Sequence, residues 1–107
     1  MFIFTIEHPV FTAYGTQEWF YSEEQEPLHW PVDRYFMEGK RTANFLGEEI
    51  VKYHHTLTSI LQGLLETGFI IKEVVEPQPT EEMMEKIPDM EIELRRPMML
   101  AVAAMKG

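Results

Sequence analysis

A helix followed directly by a strand, within residues 57–79, constrains the fold of this chain more than any other segment. Apolar residues recur there at the spacing of one helix face: Leu57, Ile60, Leu61, Leu64 and Leu65. Thr56 precedes them in the position of a helix N-cap, and Gly68 follows as a residue type that ends helices. Residues 69–75, FIIKEVV, then have the β-branched and aromatic composition of a strand. The pattern predicts the second half of an αβ unit from a layered α/β protein.

Two further segments have the composition of strands. Residues 2–6, FIFTI, are almost wholly apolar, which is typical of a strand buried on both faces of a parallel sheet. Residues 98–106, MMLAVAAMK, form the other predicted strand. Between the strands, Thr80 is placed to cap a short helix over residues 81–87, with acidic residues at its positive end. A length of 107 residues suits one domain, so we predict a single α/β domain over residues 1–107.

Residues 10–47 lack sustained periodicity and are rich in aromatic side chains, among them Trp19 and Trp30. An acidic stretch over residues 21–27 is expected to be a solvated loop. A connection of this length inside a domain is typically functional or disordered. Two interpretations remain open, a lid that covers a ligand or a loop with its own small hydrophobic cluster. Residues 48–55 are compatible with a strand or with the approach to the helix.

Composition excludes several classes of function. The net charge of −9 at pH 7 opposes binding to a phosphate backbone, and basic residues do not cluster, so we predict no nucleic-acid partner. No apolar run approaches the roughly 18 residues of a membrane span, so no membrane association is expected. The absence of cysteine excludes disulfides and thiolate metal sites, and it fits a cytoplasmic location.

The sequence also lacks the common cofactor and metal motifs. Its six glycines form neither a GxG pattern nor a phosphate-binding loop, so we expect no cofactor to bind this chain tightly. Its four histidines have no spacing typical of zinc, and we predict no metal site. Neither serine lies on a nucleophile elbow, so the catalytic residues remain unknown.

Polar residues at the ends of predicted elements are the candidates for a site. Glu7 and His8 follow the first strand, and ligands of open α/β sheets bind beyond the carboxyl ends of strands. His8 is a candidate base or hydrogen-bond partner, with the alternative that both residues only anchor the loop. His54 lies before the helix, whose positive end favours a neutral imidazole, with a structural role as the alternative.

The order of these motifs resembles the C-terminal half of class I S-adenosylmethionine-dependent methyltransferases, in particular small bacterial members of the type-11 group. The residues that carry the resemblance are FIFTIEHPVFTA, WPVDRYFMEGKR, NFLGEEIVKYHHTL, LLETGFIIKEVVEPQP and RRPMMLAVAA. That family has a three-layer, Rossmann-like fold with sheet order 3-2-1-4-5-7-6, in which strand seven is antiparallel. The resemblance implies that residues 2–6, 69–75 and 98–106 are strands five, six and seven of a partial sheet. It also implies that residues 57–67 are the main helix and that residues 10–55 are the substrate lid.

The resemblance further implies where ligands bind. The candidates for substrate binding are Glu7, His8, Pro9, Trp19, Trp30, Tyr53 and His54. The implied cofactor is S-adenosylmethionine, but the family's glycine-rich loop and ribose-binding acid cannot be placed on this sequence. We therefore assign no cofactor-binding residue.

Three interpretations of function follow. In the first, the chain is a truncated, substrate-side fragment of a methyltransferase for a small molecule, lacking the cofactor-binding half and inactive alone. In the second it is a stand-alone α/β binding or interaction domain, and in the third an independent acid–base enzyme that uses His8. The unprotected apolar strand at residues 2–6 predicts a homodimer, or a partner chain that supplies the N-terminal half.

Overall fold

The computed structural model describes residues 1–107, except for the side chain of Phe45. The chain divides into two compact units, one made of Met1–His8 with Leu57–Gly107 and the other of Pro9–Thr56. We call them the sheet unit and the hairpin unit. That the chain forms a single domain stays a prediction. Among the described residues, no helix has the length and apolar character needed to cross a membrane.

Most elements predicted from the sequence are present. In chain order the elements are β1 (Phe2–Glu7), α1 (Pro9–Thr12), β2 (Phe20–Tyr21), β3 (Pro27–His29), β4 (Gly39–Phe45), β5 (Glu48–His54), α2 (Leu57–Glu66), β6 (Phe69–Val75), α3 (Glu81–Lys86), a 3₁₀ helix (Pro88–Arg95) and β7 (Met99–Lys106). The strands predicted at 2–6, 69–75 and 98–106 and the helices predicted at 57–67 and 81–87 are confirmed to within one residue.

The sheet unit is built around β7. Its three strands have the order β1-β7-β6, and β7 is antiparallel to both neighbours, so β1 and β6 run in the same direction. Buried and half-buried residues alternate along β7, and Leu100, Val102 and Ala104 are almost inaccessible to solvent. Because successive side chains of a strand point to opposite faces, the buried set marks the one face of the sheet that forms the core.

The sequence predicted that β1 is a strand with both faces buried in a parallel sheet. That prediction is wrong in this structure, because its neighbour β7 is antiparallel, and Phe2 and Ile3 are 47% and 67% exposed. An apolar, β-branched composition favours a strand but does not determine which strand pairs with it or what covers it. In the described sheet β1 is an edge strand.

The end of α2 has the predicted glycine signal. Gly68 has a φ of 92°, a left-handed conformation that glycine adopts without strain, and its N–H donates to the Leu65 carbonyl at 3.1 Å. The Thr67 hydroxyl lies 2.9 and 3.0 Å from the carbonyl oxygens of Gly63 and Leu64. α2 packs against β6 through its apolar stripe, although no residue of the helix is fully buried.

Capping and an ion pair organise the chain before β7. The Thr80 Oγ1 accepts the N–H of Met83 at 3.1 Å, which confirms the predicted cap of α3. After the 3₁₀ helix, the buried Arg96 guanidinium donates to both carboxylate oxygens of Glu93, at 2.8 and 3.1 Å. This two-point contact fixes the chain where it enters β7.

The β4–β5 hairpin is only partly predicted by the sequence, which leaves β5 open and gives no indication of β4. The two strands are joined by Leu46 and Gly47, whose φ angles are 52° and 82°. Two consecutive positive φ values define the turn that matches the twist of a tight hairpin. The usual sequence signal for this turn is Asn-Gly or Asp-Gly. Here a leucine occupies the first position, so the sequence does not indicate the turn.

Arg41, in β4, provides the main polar contacts inside the hairpin unit. Its side chain is buried, and Nε donates to the Ala13 carbonyl at 2.6 Å. Its Nη2 donates to the carbonyls of Arg34 and Met37, at 2.9 and 2.6 Å. Gly15, with a φ of 103°, lies against the same side chain. One guanidinium therefore satisfies backbone acceptors from separate parts of an irregular segment.

We expect Arg41→Lys to reduce the free energy of unfolding by about 2–3 kcal/mol, because an ammonium cannot reproduce the planar donor geometry of a guanidinium. Urea denaturation followed by tryptophan fluorescence measures this change. Arg95→Lys, at an exposed position, is the matched control and should stay within about 0.5 kcal/mol of the parent chain. Equal effects of the two substitutions would contradict a structural role for Arg41.

Candidate functional site

His8 lies at the carboxyl end of β1, in the sheet unit. Its backbone N–H donates to the Met98 carbonyl at 2.8 Å, which extends the pairing between β1 and β7. Its buried ring places Nε2 at 2.5 Å from Oε2 of Glu76, the residue after β6. Because β1 and β6 run in the same direction on either side of β7, their carboxyl ends lie at one edge of the sheet. A carboxylate oxygen only accepts, so the imidazole donates from Nε2–H.

A cavity of about 260 Å³ lies beside Glu76 in the sheet unit. The loop after β6 and the end of the 3₁₀ helix line it, and Glu93, Arg95 and Arg96 contribute charged groups. Side chains of both signs therefore border the cavity. The arrangement suits a polar ligand, which could hydrogen-bond to carboxylate and guanidinium groups from the same position.

His54 ends β5 in the hairpin unit and is inaccessible to solvent. Its Nε2 lies 2.7 Å from the Tyr35 carbonyl oxygen, and its Nδ1 lies 2.7 Å from Oγ1 of Thr12. The carbonyl only accepts, so the proton belongs on Nε2, and the neutral ring accepts the Thr12 hydroxyl at Nδ1. His54 thereby connects α1 to the loop that precedes β4.

Burial lowers the pKa of His54 below its ordinary value of 6.5, because charging the ring would require a desolvated imidazolium. The positive charge of Arg41 acts in the same direction. The hydrogen bond to Tyr35 and the carboxylate of Glu38 act in the opposite direction, with smaller effect. His54 is therefore neutral in the folded chain at neutral pH.

We expect the free energy of unfolding to fall as the pH decreases below about 6.5, because unfolded His54 takes up a proton more readily than folded His54. The stabilisation is fully present above the unfolded pKa and is lost as the pH falls toward the lower folded value. Urea denaturation at several pH values and constant ionic strength measures this dependence.

His54→Gln tests which residue causes this pH dependence. The substitution should cost about 1–3 kcal/mol at neutral pH and should flatten the profile. His55→Gln is the matched control, because the neighbouring His55 side chain is 58% exposed, and this variant should keep the parent profile. A parent-like profile in His54→Gln would show that another group is responsible.

Trp19 and Trp30 contact each other in the hairpin unit. Their rings meet edge to face, with centroids 5.4 Å apart and an interplanar angle of 81°. Trp30 also stacks on Phe11 at 5.0 Å, and its Nε1 donates to the Val10 carbonyl at 3.2 Å. The segment thus has a hydrophobic cluster of its own, as one of the two interpretations requires. Whether it also covers a ligand stays a prediction.

A larger cavity, of about 480 Å³, lies within the hairpin unit beside Trp19. Aromatic rings and carboxylates are prominent in its lining. These lining residues are Tyr14, Glu18, Trp19, Phe20, His29 and Asp33. The size lies within the range of small-molecule sites.

The structure divides the predicted substrate-binding residues between the two units. Glu7 and His8 lie in the sheet unit, and Pro9, Trp19, Trp30, Tyr53 and His54 lie in the hairpin unit. The two tryptophans are brought together. Tyr53 is 67% exposed whereas His54 is inaccessible, because neighbouring residues of a strand point to opposite faces. A role of these seven residues in substrate binding stays a prediction.

Sequence reasoning missed Glu76 and Arg96. A signal existed for Glu76, because it directly follows β6, just as Glu7 is the last residue of β1. No periodic pattern marks Arg96 as buried, since it lies between an irregular helix and Pro97.

Comparisons with solved structures show what the chain is similar to. The crystal structure of a proposed S-adenosylmethionine-dependent methyltransferase from Listeria monocytogenes matches 98% of this chain, with a TM-score of 0.90 and 53% identity. An S-adenosylmethionine-dependent methyltransferase from Mesorhizobium loti matches 95% of it, with a TM-score of 0.82 and 37% identity. The chain matches part of an S-adenosylmethionine-dependent methyltransferase. The resemblance predicted from the sequence, and the α/β fold class, are confirmed.

The match covers only part of these relatives. The chain spans 47% of the Listeria monocytogenes protein and 46% of the Mesorhizobium loti protein. An uncharacterised protein from Haemophilus influenzae is 30% identical over 76 residues, which are 70% of this chain and 30% of that protein. No family model matches the chain.

The described residues do not fit the binding of S-adenosylmethionine by a glycine-rich turn. Gly47 belongs to a hairpin turn, Gly68 ends α2, and Gly15 lies against Arg41. None of these three glycines joins a strand to a following helix in the way that such a turn requires. Among the described residues there is also no group of three or more His, Asp or Glu side chains that could hold a metal.

Proposed function

We propose that this chain is the substrate-side half of an S-adenosylmethionine-dependent methyltransferase that acts on a small molecule. The observation that carries the proposal is the match to the Listeria monocytogenes protein over 98% of the chain. The strand order β1-β7-β6, with β7 antiparallel to both neighbours, supports it. It is the order that the family resemblance implies for strands five, seven and six. The hairpin unit would then serve as the substrate lid.

The cofactor would be held mainly by residues outside this chain, because Gly47 forms a hairpin turn, Gly68 ends α2 and Gly15 lies against Arg41. S-adenosylmethionine, when bound, supplies a methyl group activated by a positively charged sulfur. The residues described here would bind and orient the molecule that accepts this group. They would also accept the proton that the acceptor releases.

The outer edge of β1 is the proposed docking site for the cofactor-binding half. β1 and β6 are both edge strands, but they differ in protection. β6 contains Lys72 and Glu73, whereas β1 has no charged residue before Glu7 and exposes Phe2 and Ile3. An apolar edge without charge pairs readily with another strand. Without its complement, the same edge would join two copies of this chain.

We expect the isolated chain to dimerise and to bind S-adenosylmethionine weakly or not at all. Adding the portion of the Listeria monocytogenes protein that this chain does not match should replace the dimer by a mixed complex that binds the cofactor. Light scattering measures assembly, and calorimetry measures binding. Ile3→Lys should weaken both assemblies, whereas Ile70→Lys on the opposite edge strand is the control.

Two outcomes would contradict this assignment. Low-micromolar cofactor binding by the isolated chain would place the cofactor site within these residues. Turnover of a substrate by the isolated chain, without the cofactor, would instead favour an independent acid–base enzyme that uses His8.

His8 and Glu76 are the proposed proton-accepting pair of the sheet unit. The Glu76 carboxylate orients the imidazole through Nε2 and stabilises its positive charge after proton uptake. A histidine held by a carboxylate at the carboxyl edge of a sheet lies where α/β proteins bind ligands. The cavity next to Glu76 provides space for a polar group beside the pair.

In the mixed complex, His8→Gln and Glu76→Gln should lower the rate of methyl transfer by about 10²–10⁴-fold, because general acid–base and positioning roles have this magnitude. Cofactor affinity should change little. The rate is followed as formation of S-adenosylhomocysteine with a panel of small-molecule acceptors. His55→Gln, at an exposed histidine, is the control. Equal losses of rate and cofactor affinity would contradict a substrate-side role for the pair.

A further inference from the structure

The cavity of about 480 Å³ in the hairpin unit has a lining that favours one class of ligand. Aromatic rings come from Tyr14, Trp19, Phe20 and His29, at positions that are close in sequence to the β2–β3 hairpin. An aromatic ring presents negative electrostatic potential on its face and attracts a cation placed over it. Several rings around one cavity therefore suit a positively charged group with an apolar surface.

The rings are held in place by contacts within the hairpin unit. Phe20 and His29 are paired across β2 and β3, and their rings stack at 5.0 Å with an interplanar angle of 19°. Trp19 rests edge-on against Trp30, which in turn stacks on Phe11. The side chains that line the cavity are therefore already ordered before a ligand binds, which reduces the entropy lost on binding.

The charged carboxylates that line the cavity have one sign, although the Arg34 guanidinium lies next to it. Glu18 and Asp33 line it, and the lining residues that the structure describes include no lysine or arginine. The adjacent Arg34 directs its Nη2 to the Tyr14 carbonyl at 3.0 Å, and its backbone N–H donates to the Asp33 carboxylate at 2.7 Å. The whole chain carries a net charge of −9, which raises the local concentration of cations.

We propose that this cavity binds an organic cation, an ammonium group attached to a small apolar body. The inference rests on the proposed function, in which such a molecule is the methyl acceptor and the ammonium group is the part that the lid recognises. The rings contact the methyl or methylene groups around the nitrogen, and the two carboxylates balance its charge. A neutral molecule of the same shape retains only the apolar contacts.

Choline and 3,3-dimethyl-1-butanol are suitable probes, because they differ mainly in having nitrogen or carbon at the branched centre. We expect choline to quench or shift the tryptophan fluorescence of the full chain at millimolar concentration. We expect its affinity to exceed that of the neutral probe by about tenfold. Raising the salt concentration should weaken choline binding alone.

Two variants test the rings and the carboxylates separately. Tyr14→Leu keeps both tryptophans as reporters and should weaken choline binding by about threefold to tenfold. Glu18→Gln with Asp33→Asn should weaken it to a similar degree without affecting the neutral probe. Glu23→Gln with Glu24→Gln removes the same charge from the exposed loop between β2 and β3 and is the matched control.

Three results would overturn the inference. They are equal affinities for the two probes, no binding of choline up to about 50 mM, and equal losses in the cavity and control double variants. The titrations need neither cofactor nor turnover. If the mixed complex transfers methyl groups but the chain does not bind choline selectively, only the cation site is rejected. Choline binding without methyl transfer would reject only the proposed enzyme.

Discussion

The pairing of β7 with both β1 and β6 is the constraint on which the sheet unit depends. β7 comes last in the chain, yet strands lie hydrogen-bonded on either side of it. Its alternating residues, Leu100, Val102 and Ala104, are the most buried apolar residues of the unit. Because β7 also sets the common direction of β1 and β6, it brings His8 and Glu76 together. The same strand pairing therefore forms the core and brings the residues of the candidate site together.

The hairpin unit is organised by a different balance of forces. Its buried apolar residues are small or few. Buried polar side chains, with Arg41 and His54 as the main examples, therefore make much of the contact that holds the unit together. Each donates to backbone carbonyl oxygens within the hairpin unit. Such contacts are directional, so they fix irregular chain in one arrangement where apolar packing alone would allow several.

The sequence predicted those elements whose signal is local. The strands at 69–75 and 98–106 follow from composition, and α2 follows from its apolar spacing with Gly68 as its end. β4 could not be predicted in this way, because GKRTANF contains residues of low strand propensity and is stabilised by pairing with β5.

The candidate site shows the same limit. His8 was predicted because it directly follows an apolar strand, but its partner Glu76 lies 68 residues away along the chain. Only the strand order brings the two together, and a single sequence does not give strand order. The aromatic content of the insert indicated a cluster, whereas which rings line a cavity depends on the pairing of β2 with β3 and on the chain that precedes it.

The register of β1 with β7 also has a consequence for synthesis on the ribosome. Phe2 pairs with Ala104, so β1 has no pairing partner within residues 1–107 until almost all of the residues that follow it have emerged. During that interval the apolar FIFTI segment is available to chaperones and to other nascent chains. The pairings of β2 with β3 and of β4 with β5 need only contacts that are local in sequence and can form meanwhile. Within residues 1–107, β1 would then dock on β7 only after the hairpins that follow it have formed.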